Sequence, residues 1–306
     1  MPFTLLQSPA TMMADPLLGG HVLSFYRCGG SGGLSTPPII TQTSGSTMLV
    51  WVGRGDLRAF TEASVPKDNK GNTYALLDTV HAYTRWPGSG EALYASPSVA
   101  GGEGHVFTAP MPAGLGSDEI TMAVVEVKNG GVIQEARWIY APSFSPTQTS
   151  LSVTTTAAAT LVAFWAGDSG SFPPGMTAVP DNGFTRIEEI LTGACFVQAA
   201  VATKEVAVAG TYNVTWTSTP PQGGHVWLVA VQSVPTPAPA LTARPSGEHL
   251  VISWPASATG YQLEVSSQPS APAAWTSVTN FPVIIDGQNT VTNEMTSETL
   301  FYRLKK

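Results

Sequence analysis

The sequence predicts an all-β protein of three β-sandwiches in series, and three observations carry that reading. Short runs rich in Val, Thr, Trp, Tyr and Phe recur between Gly, Pro, Asn and Asp, with almost no helical periodicity. One long stretch of the chain repeats itself. A segment of alternating prolines then sets off a third, shorter group of strands. Composition agrees: the 306 residues hold 30 Gly and 25 Pro, are 43% hydrophobic and only 11% charged. So much apolar and aromatic residue excludes a disordered chain, and no Gly-X-Y period allows collagen. Lys and Arg total 14 against 21 Asp and Glu, too few cations for phosphate contacts, so no nucleic-acid partner is expected.

Residues 1–35 read as an irregular N-terminal segment, Gly-rich at its end in Cys28-Gly29-Gly30-Ser31-Gly32-Gly33. Such a segment buries little apolar surface alone. Its clusters Phe3-Thr4-Leu5-Leu6 and Val22-Leu23-Ser24-Phe25-Tyr26 must pack against the first domain or a neighbouring subunit, which makes the segment the expected attachment to a larger particle.

The first and second domains are placed at residues 36–142 and 143–234. Leu49-Val50-Trp51-Val52-Gly53-Arg54-Gly55-Asp56 aligns with Leu161-Val162-Ala163-Phe164-Trp165-Ala166-Gly167-Asp168 at a constant offset of 112 residues. Val65-Pro66-Lys67-Asp68-Asn69-Lys70-Gly71 aligns with Val179-Pro180-Asp181-Asn182-Gly183. A spacing this long marks a duplicated domain, not a solenoid. Each copy closes on an apolar strand, Ile120–Val127 and Val226–Val231, which belongs at a sheet centre covered on both sides. Arg186–Leu191 is too short for a convincing helix and alternates well enough for a strand.

Pro235-Thr236-Pro237-Ala238-Pro239 is an extended, semi-rigid linker. Residues 240–306 form the third domain. His249–Pro255 is a strand ended by proline, and Gly260–Ser266 alternates with Tyr261, Leu263 and Val265 on one face. Trp254, Trp275, Phe301 and Leu304 join those three as the expected core.

No run reaches the roughly 18 apolar residues of a membrane span. The first basic residue is Arg27, so the start does not read as a secretory signal and synthesis in the host cytoplasm is expected. Cys28 and Cys195 are expected to be free thiols.

Two resemblances follow from these residues. The Trp254 strand, Tyr261-Gln262-Leu263-Glu264, Trp275 and the closing Phe301-Tyr302-Arg303-Leu304 make the third domain similar to a fibronectin type III or related immunoglobulin-like sandwich whose final strand is truncated. Met48–Val52, Asp68–Tyr74, Tyr94-Ala95 and Val99–Gly102 make the first two domains resemble a β-sandwich domain, jelly-roll or Ig-like, of tailed-phage virion proteins and large bacterial surface proteins. These resemblances imply a fold and a setting rather than an activity.

Motifs for chemistry are sparse. Asp68–Asn72 lacks the Gly position and closing Glu of a calcium loop and reads as a turn with Gly71 at positive φ. Arg54-Gly55-Asp56 reads as the turn after a repeat strand rather than an adhesion tripeptide. Glu188-Glu189 and Asp118-Glu119 are neighbours that point to opposite strand faces, unsuited to a glycosidase pair. None of His21, His81, His105, His225 and His249 falls at a zinc-ligand spacing. No catalytic residue, metal or cofactor is therefore expected. The contact candidates are Arg85 and Trp86, in the loop Thr84–Gly90, and Trp138 in Ala136–Tyr140. For Trp86 and Trp138, packing between domains stands as the competing role.

The function expected is that of a non-enzymatic structural protein of a tailed-phage virion, on the head or tail surface as decoration, fibre or minor tail component. It would bind other virion proteins through residues 1–35 as a homo-oligomer or on a lattice. The alternative is an extracellular or surface-attached bacterial module that binds host-surface glycans.

Overall fold

The computed structural model describes residues 3–5, 11–12, 15–26, 33–115, 119–167, 175–191, 198–233, 235–236, 239–269 and 274–305; Cys28, Cys195 and Asp118 lie outside them. Among the described residues the chain is all-β, with two 3-10 turns at Leu57–Ala59 and Glu62–Ser64. It divides into two compact units, Ala14–Val234, and Met1–Met13 with Pro235–Lys306. The chain opens with β1 (Phe3–Leu5) and β2 (Thr11–Met12), strands of the smaller unit.

The larger unit holds two β-sandwiches. The first is built from β3 (Leu17–Tyr26), β4 (Leu34–Ser35), β5 (Ser44–Arg54), β6 (Lys67–Asp68), β7 (Ala75–Leu76), β8 (His81–Ala82), β9 (Gly90–Ala100), β10 (Phe107–Ala109) and β11 (Ile120–Lys128). Its large sheet runs β3-β11-β5-β9-β7, with β8 also on β9, and its small sheet runs β4-β10-β6. The second comprises β12 (Val132–Thr149), β13 (Val153–Thr155), β14 (Ala159–Gly167), β15 (Thr177–Pro180), β16 (Thr185–Ile190), β17 (Ala199–Val206), β18 (Gly210–Tyr212) and β19 (Thr215–Gln232). Its large sheet runs β12-β19-β14-β17-β16, with β15 on β19, and β13 pairs with β18. Both are antiparallel throughout. In each, the first and last strands lie side by side at one end of the large sheet, with the strands of the small sheet drawn from between them.

Matching strand orders show where the first sandwich begins. β3 takes the place that β12 takes in the second copy, so Leu17–Tyr26 is a sheet strand and not part of an irregular attachment segment. Of the two fates open to its apolar cluster, packing against the first domain is the one observed: Val22 is buried, and Leu18 and Leu23 pack on the core. The Gly19-Gly20 pair within β3 supplies clearance. A Cβ on Gly20 would sit 2.4 Å from the Ile40 carbonyl oxygen and one on Gly19 2.2 Å from Glu126 Oε2.

The two large sheets pack face to face. Leu49, Trp51, Leu93, Ala123 and Val125 from the first meet Val162, Phe164, Val201, Trp227 and Val229 from the second. Each large sheet turns its other face to its own small sheet, over Met48, Val50, Val52 and Phe107 in one copy and Leu161, Ala163, Trp165 and Trp216 in the other. β5 and β14 are thus buried on both faces, as their unbroken apolar runs predict. The offset of 112 is nonetheless one residue out of structural phase. Leu49 and Trp51 face the partner sandwich, whereas Leu161 and Ala163 face inward and Val162 and Phe164 take the outward role. A one-residue slip exchanges the faces of a strand, and identity matching alone cannot see it where both faces are apolar.

In the smaller unit β20 (Pro235–Thr236) pairs with β2, within the stretch read as linker. β21 (Thr242–Ser246), β22 (His249–Pro255), β23 (Gln262–Ser266), β24 (Thr276–Ser277), β25 (Val283–Ile285), β26 (Gln288–Glu294) and β27 (Leu300–Lys305) follow. They form two sheets, β21-β22-β26-β25 and β1-β27-β23-β24. β1 lies parallel to β27 and occupies the edge beside the last strand, where the sequence reads a truncated module. Leu250, Ile252, Trp254, Leu263, Val291, Tyr302 and Leu304 are the buried core. Tyr302 replaces the expected Phe301, because Leu304 fixes the inward face and inward positions alternate. Trp275 is half-buried, with the Arg303 guanidinium 4.2 Å from its ring centre.

Candidate functional site

The seam between the two sandwiches of the larger unit carries a polar cluster centred on Glu91. β9 places this residue at the Gly53 pairing position, facing the second sandwich beside Trp51. Its side chain is fully buried. Glu91 Oε2 accepts the Trp51 indole N–H at 2.6 Å, and Oε1 accepts those of Trp138 at 3.0 Å and Trp227 at 2.7 Å. His225 Nδ1 lies 2.9 Å from Oε1. One donor comes from the first sandwich and two from the second, so a single carboxyl group ties them together. Aromatic rings close the cluster. His81 stacks on Trp138 at 3.6 Å between centroids, and Tyr83 stacks on His225 at 4.1 Å. Burial holds the His81 imidazole below its ordinary pKa, against the opposing pull of the Glu91 and Asp78 carboxylates.

Above this seam the structure brings Arg85 and Trp86 together with two residues of β12. The backbone N–H of Arg85 donates to the Tyr140 hydroxyl at 3.3 Å. The Arg85 guanidinium carbon lies 5.4 Å from the Trp86 ring centre and 4.5 Å from that of Phe144. Trp86 is 48% exposed and Phe144 58%. Trp138 is not part of this surface. Its indole N–H is spent on Glu91 and its ring on His81, so it takes the packing role and not the contact role. Sequence reasoning missed Glu91, His225, Tyr140 and Phe144. The available signal was Glu91 itself, a lone acid in the apolar run Gly90-Glu91-Ala92-Leu93-Tyr94, which is how a buried, partnered carboxylate looks in sequence.

The remaining candidates are structural. Arg54 is buried and donates from Nη2 to the Pro110 carbonyl at 2.7 Å, while Asp56 caps the turn that follows, so Arg54-Gly55-Asp56 is no exposed loop tip. Glu188 meets His21 at 2.8 Å and Glu189 meets Arg186 at 2.7 Å. Glu126, also buried, accepts from the backbone N–H of Gly20 and Gln42 and from the Ser46 hydroxyl. Among the described residues no three of His, Cys, Asp and Glu gather as metal ligands.

Asp68, Asn72 and Tyr74 form the predicted turn, with Gly71 at φ +82°. Asp68 accepts from Lys70 N, Asn72 N, Asn72 Nδ2 and the Tyr74 hydroxyl, and His105 Nε2 lies 3.2 Å from it. Thr41 Oγ1 stands 2.9 Å from His105 Nδ1, completing an acid–imidazole–hydroxyl chain. The Thr41 hydroxyl already accepts the Gly102 N–H and the imidazole is wholly buried, so the chain is a brace and not a nucleophile. Burial raises the Asp68 pKa, but the donors from Tyr74, Asn72 and His105 outweigh it and hold the group below its ordinary value. A depressed folded-state value adds stability that is complete above about pH 4 and is lost as pH falls through that value. Asp68→Asn is therefore expected to destabilise the chain at pH 6, with the gap to wild type narrowing toward pH 3 in urea titrations.

Comparison of the chain with protein-family models, with curated proteins and with solved structures finds no match.

Proposed function

We propose that this chain is a non-enzymatic structural protein of a tailed-phage virion, displayed on the head or tail surface as decoration, fibre or minor tail component. One observation carries the reading. The larger unit is two like sandwiches joined through sheets buried on both faces, and its buried carboxylates Glu91, Glu126 and Asp68 all hold the fold together. Low charge, with many Gly and Pro, suits a protease-resistant particle surface. The resemblance of both sandwiches to virion domains, and of the smaller unit to a fibronectin type III module, supports the same setting. Strands 3–5, 11–12, 17–26 and 34–35 belong to the sheets of the two units, so attachment through residues 1–35 would be made by folded strands and not by an irregular segment. Mass spectrometry of purified particles from the cells that make this chain is expected to find it at a stoichiometry set by the particle's symmetry. Particles that lack it would overturn the reading.

A second reading, an extracellular or surface-attached bacterial module that contacts glycans, is favoured by the exposed group of Arg85, Trp86 and Phe144.

A further inference from the structure

The geometry points to a binding site for an acidic saccharide where Arg85, Trp86 and Phe144 meet. This inference rests on the glycan-contact reading and gives it a chemical class. Arg58, Arg137, Arg186 and Arg303 each hold a carboxylate. Arg85 does not: among the described residues its guanidinium touches only the two rings, and its one hydrogen bond is made by the backbone N–H. Cation–π contact uses the charge and leaves the N–H fork unspent. A planar fork without an acceptor among the described residues matches a carboxylate, which accepts two parallel hydrogen bonds.

The rings supply the second half of the recognition. Trp86 and Phe144 are about half exposed, at 48% and 58%, and offer flat apolar surface beside the cation. A pyranose presents C–H faces to such rings, and a uronic or sialic acid adds the carboxylate on the same residue. Positioning is firm, because the Tyr140 hydroxyl holds the Arg85 backbone and ties the loop of the first sandwich to β12 of the second. A neutral sugar would leave the cation unanswered.

Titration of the full-length chain with trigalacturonic acid, maltotriose and a sulfated heparin tetrasaccharide tests this by calorimetry. Trigalacturonic acid is expected to bind, maltotriose to bind far more weakly, and Arg85→Gln to weaken acid binding about ten- to hundredfold with the fold intact by circular dichroism. Trp86→Ala and Phe144→Ala are expected to weaken it as well. Tighter binding of the sulfated sugar, lost in Arg85→Gln, would support an anionic-sugar site and move the anion from carboxylate to sulfate. Equal binding of acidic and neutral sugars, untouched by Arg85→Gln, would overturn the inference and leave the glycan reading standing. Binding of a hexaglutamate peptide with the same Arg85 dependence would overturn the saccharide assignment. No binding of any saccharide would overturn both.

Discussion

Glu91→Ala is expected to destabilise the larger unit by about 3–5 kcal/mol, because it strands two buried indole N–H groups and a third partly buried one at once and opens a cavity. Each indole is a donor only, and each is turned into the seam toward Glu91. Glu91→Gln keeps the volume and one acceptor oxygen but aims an amide N–H₂ at donors, so an intermediate loss is expected. Urea unfolding of the full chain, followed by tryptophan emission and by circular dichroism, reads both. The emission change should accompany unfolding, since Trp51, Trp138 and Trp227 all report on this seam. A loss below about 1 kcal/mol in Glu91→Ala would show that the indoles do not depend on the carboxyl group.

Trp165→Ala is expected to cost about 3–5 kcal/mol, the range for removing a fully buried aromatic side chain. Trp165 fills the interior of the second sandwich, with the Trp216 ring centre 6.4 Å away, and donates its indole N–H to Gln148. The substitution therefore leaves both a void and an unanswered amide oxygen. Trp86→Ala is the matched control. That ring stands half in solvent, and its loss is expected to change stability by no more than about 0.5 kcal/mol. Both changes remove the same side chain, so the difference between the variants measures what the buried site adds, the filled volume together with the hydrogen bond to Gln148. Equal losses would mean that the exposed ring is packed after all.

The parts of the fold that show in sequence are those where composition and burial coincide. β5 and β14 each contain an unbroken apolar run, Met48–Gly53 and Leu161–Gly167, and a strand covered on both faces is where such a run belongs. The Asp68 turn shows because Gly71 and the Asx side chains have few other uses at that spacing. β3 does not show: its glycines look like a hinge, and the clearance they give to Ile40 and Glu126 exists only after two distant segments meet. The phase between the copies is hidden for a related reason, since Leu49 and Val162 do the same work while Leu49 and Leu161 look alike. At the candidate site Arg85 and Trp86 are legible as a loop pair. Phe144 is not, because 59 positions separate it from Arg85 and the fold alone makes them neighbours.

β1 has a consequence for the order in which the protein is made. The smaller unit takes one edge strand from residues 3–5 and the strand beside it from residues 300–305. During translation that first strand must wait, unpaired, while everything between is synthesised. The body spanning 14–234 is a guest inserted into its host, able to complete its own sheets on the ribosome while the host remains open until β27 emerges.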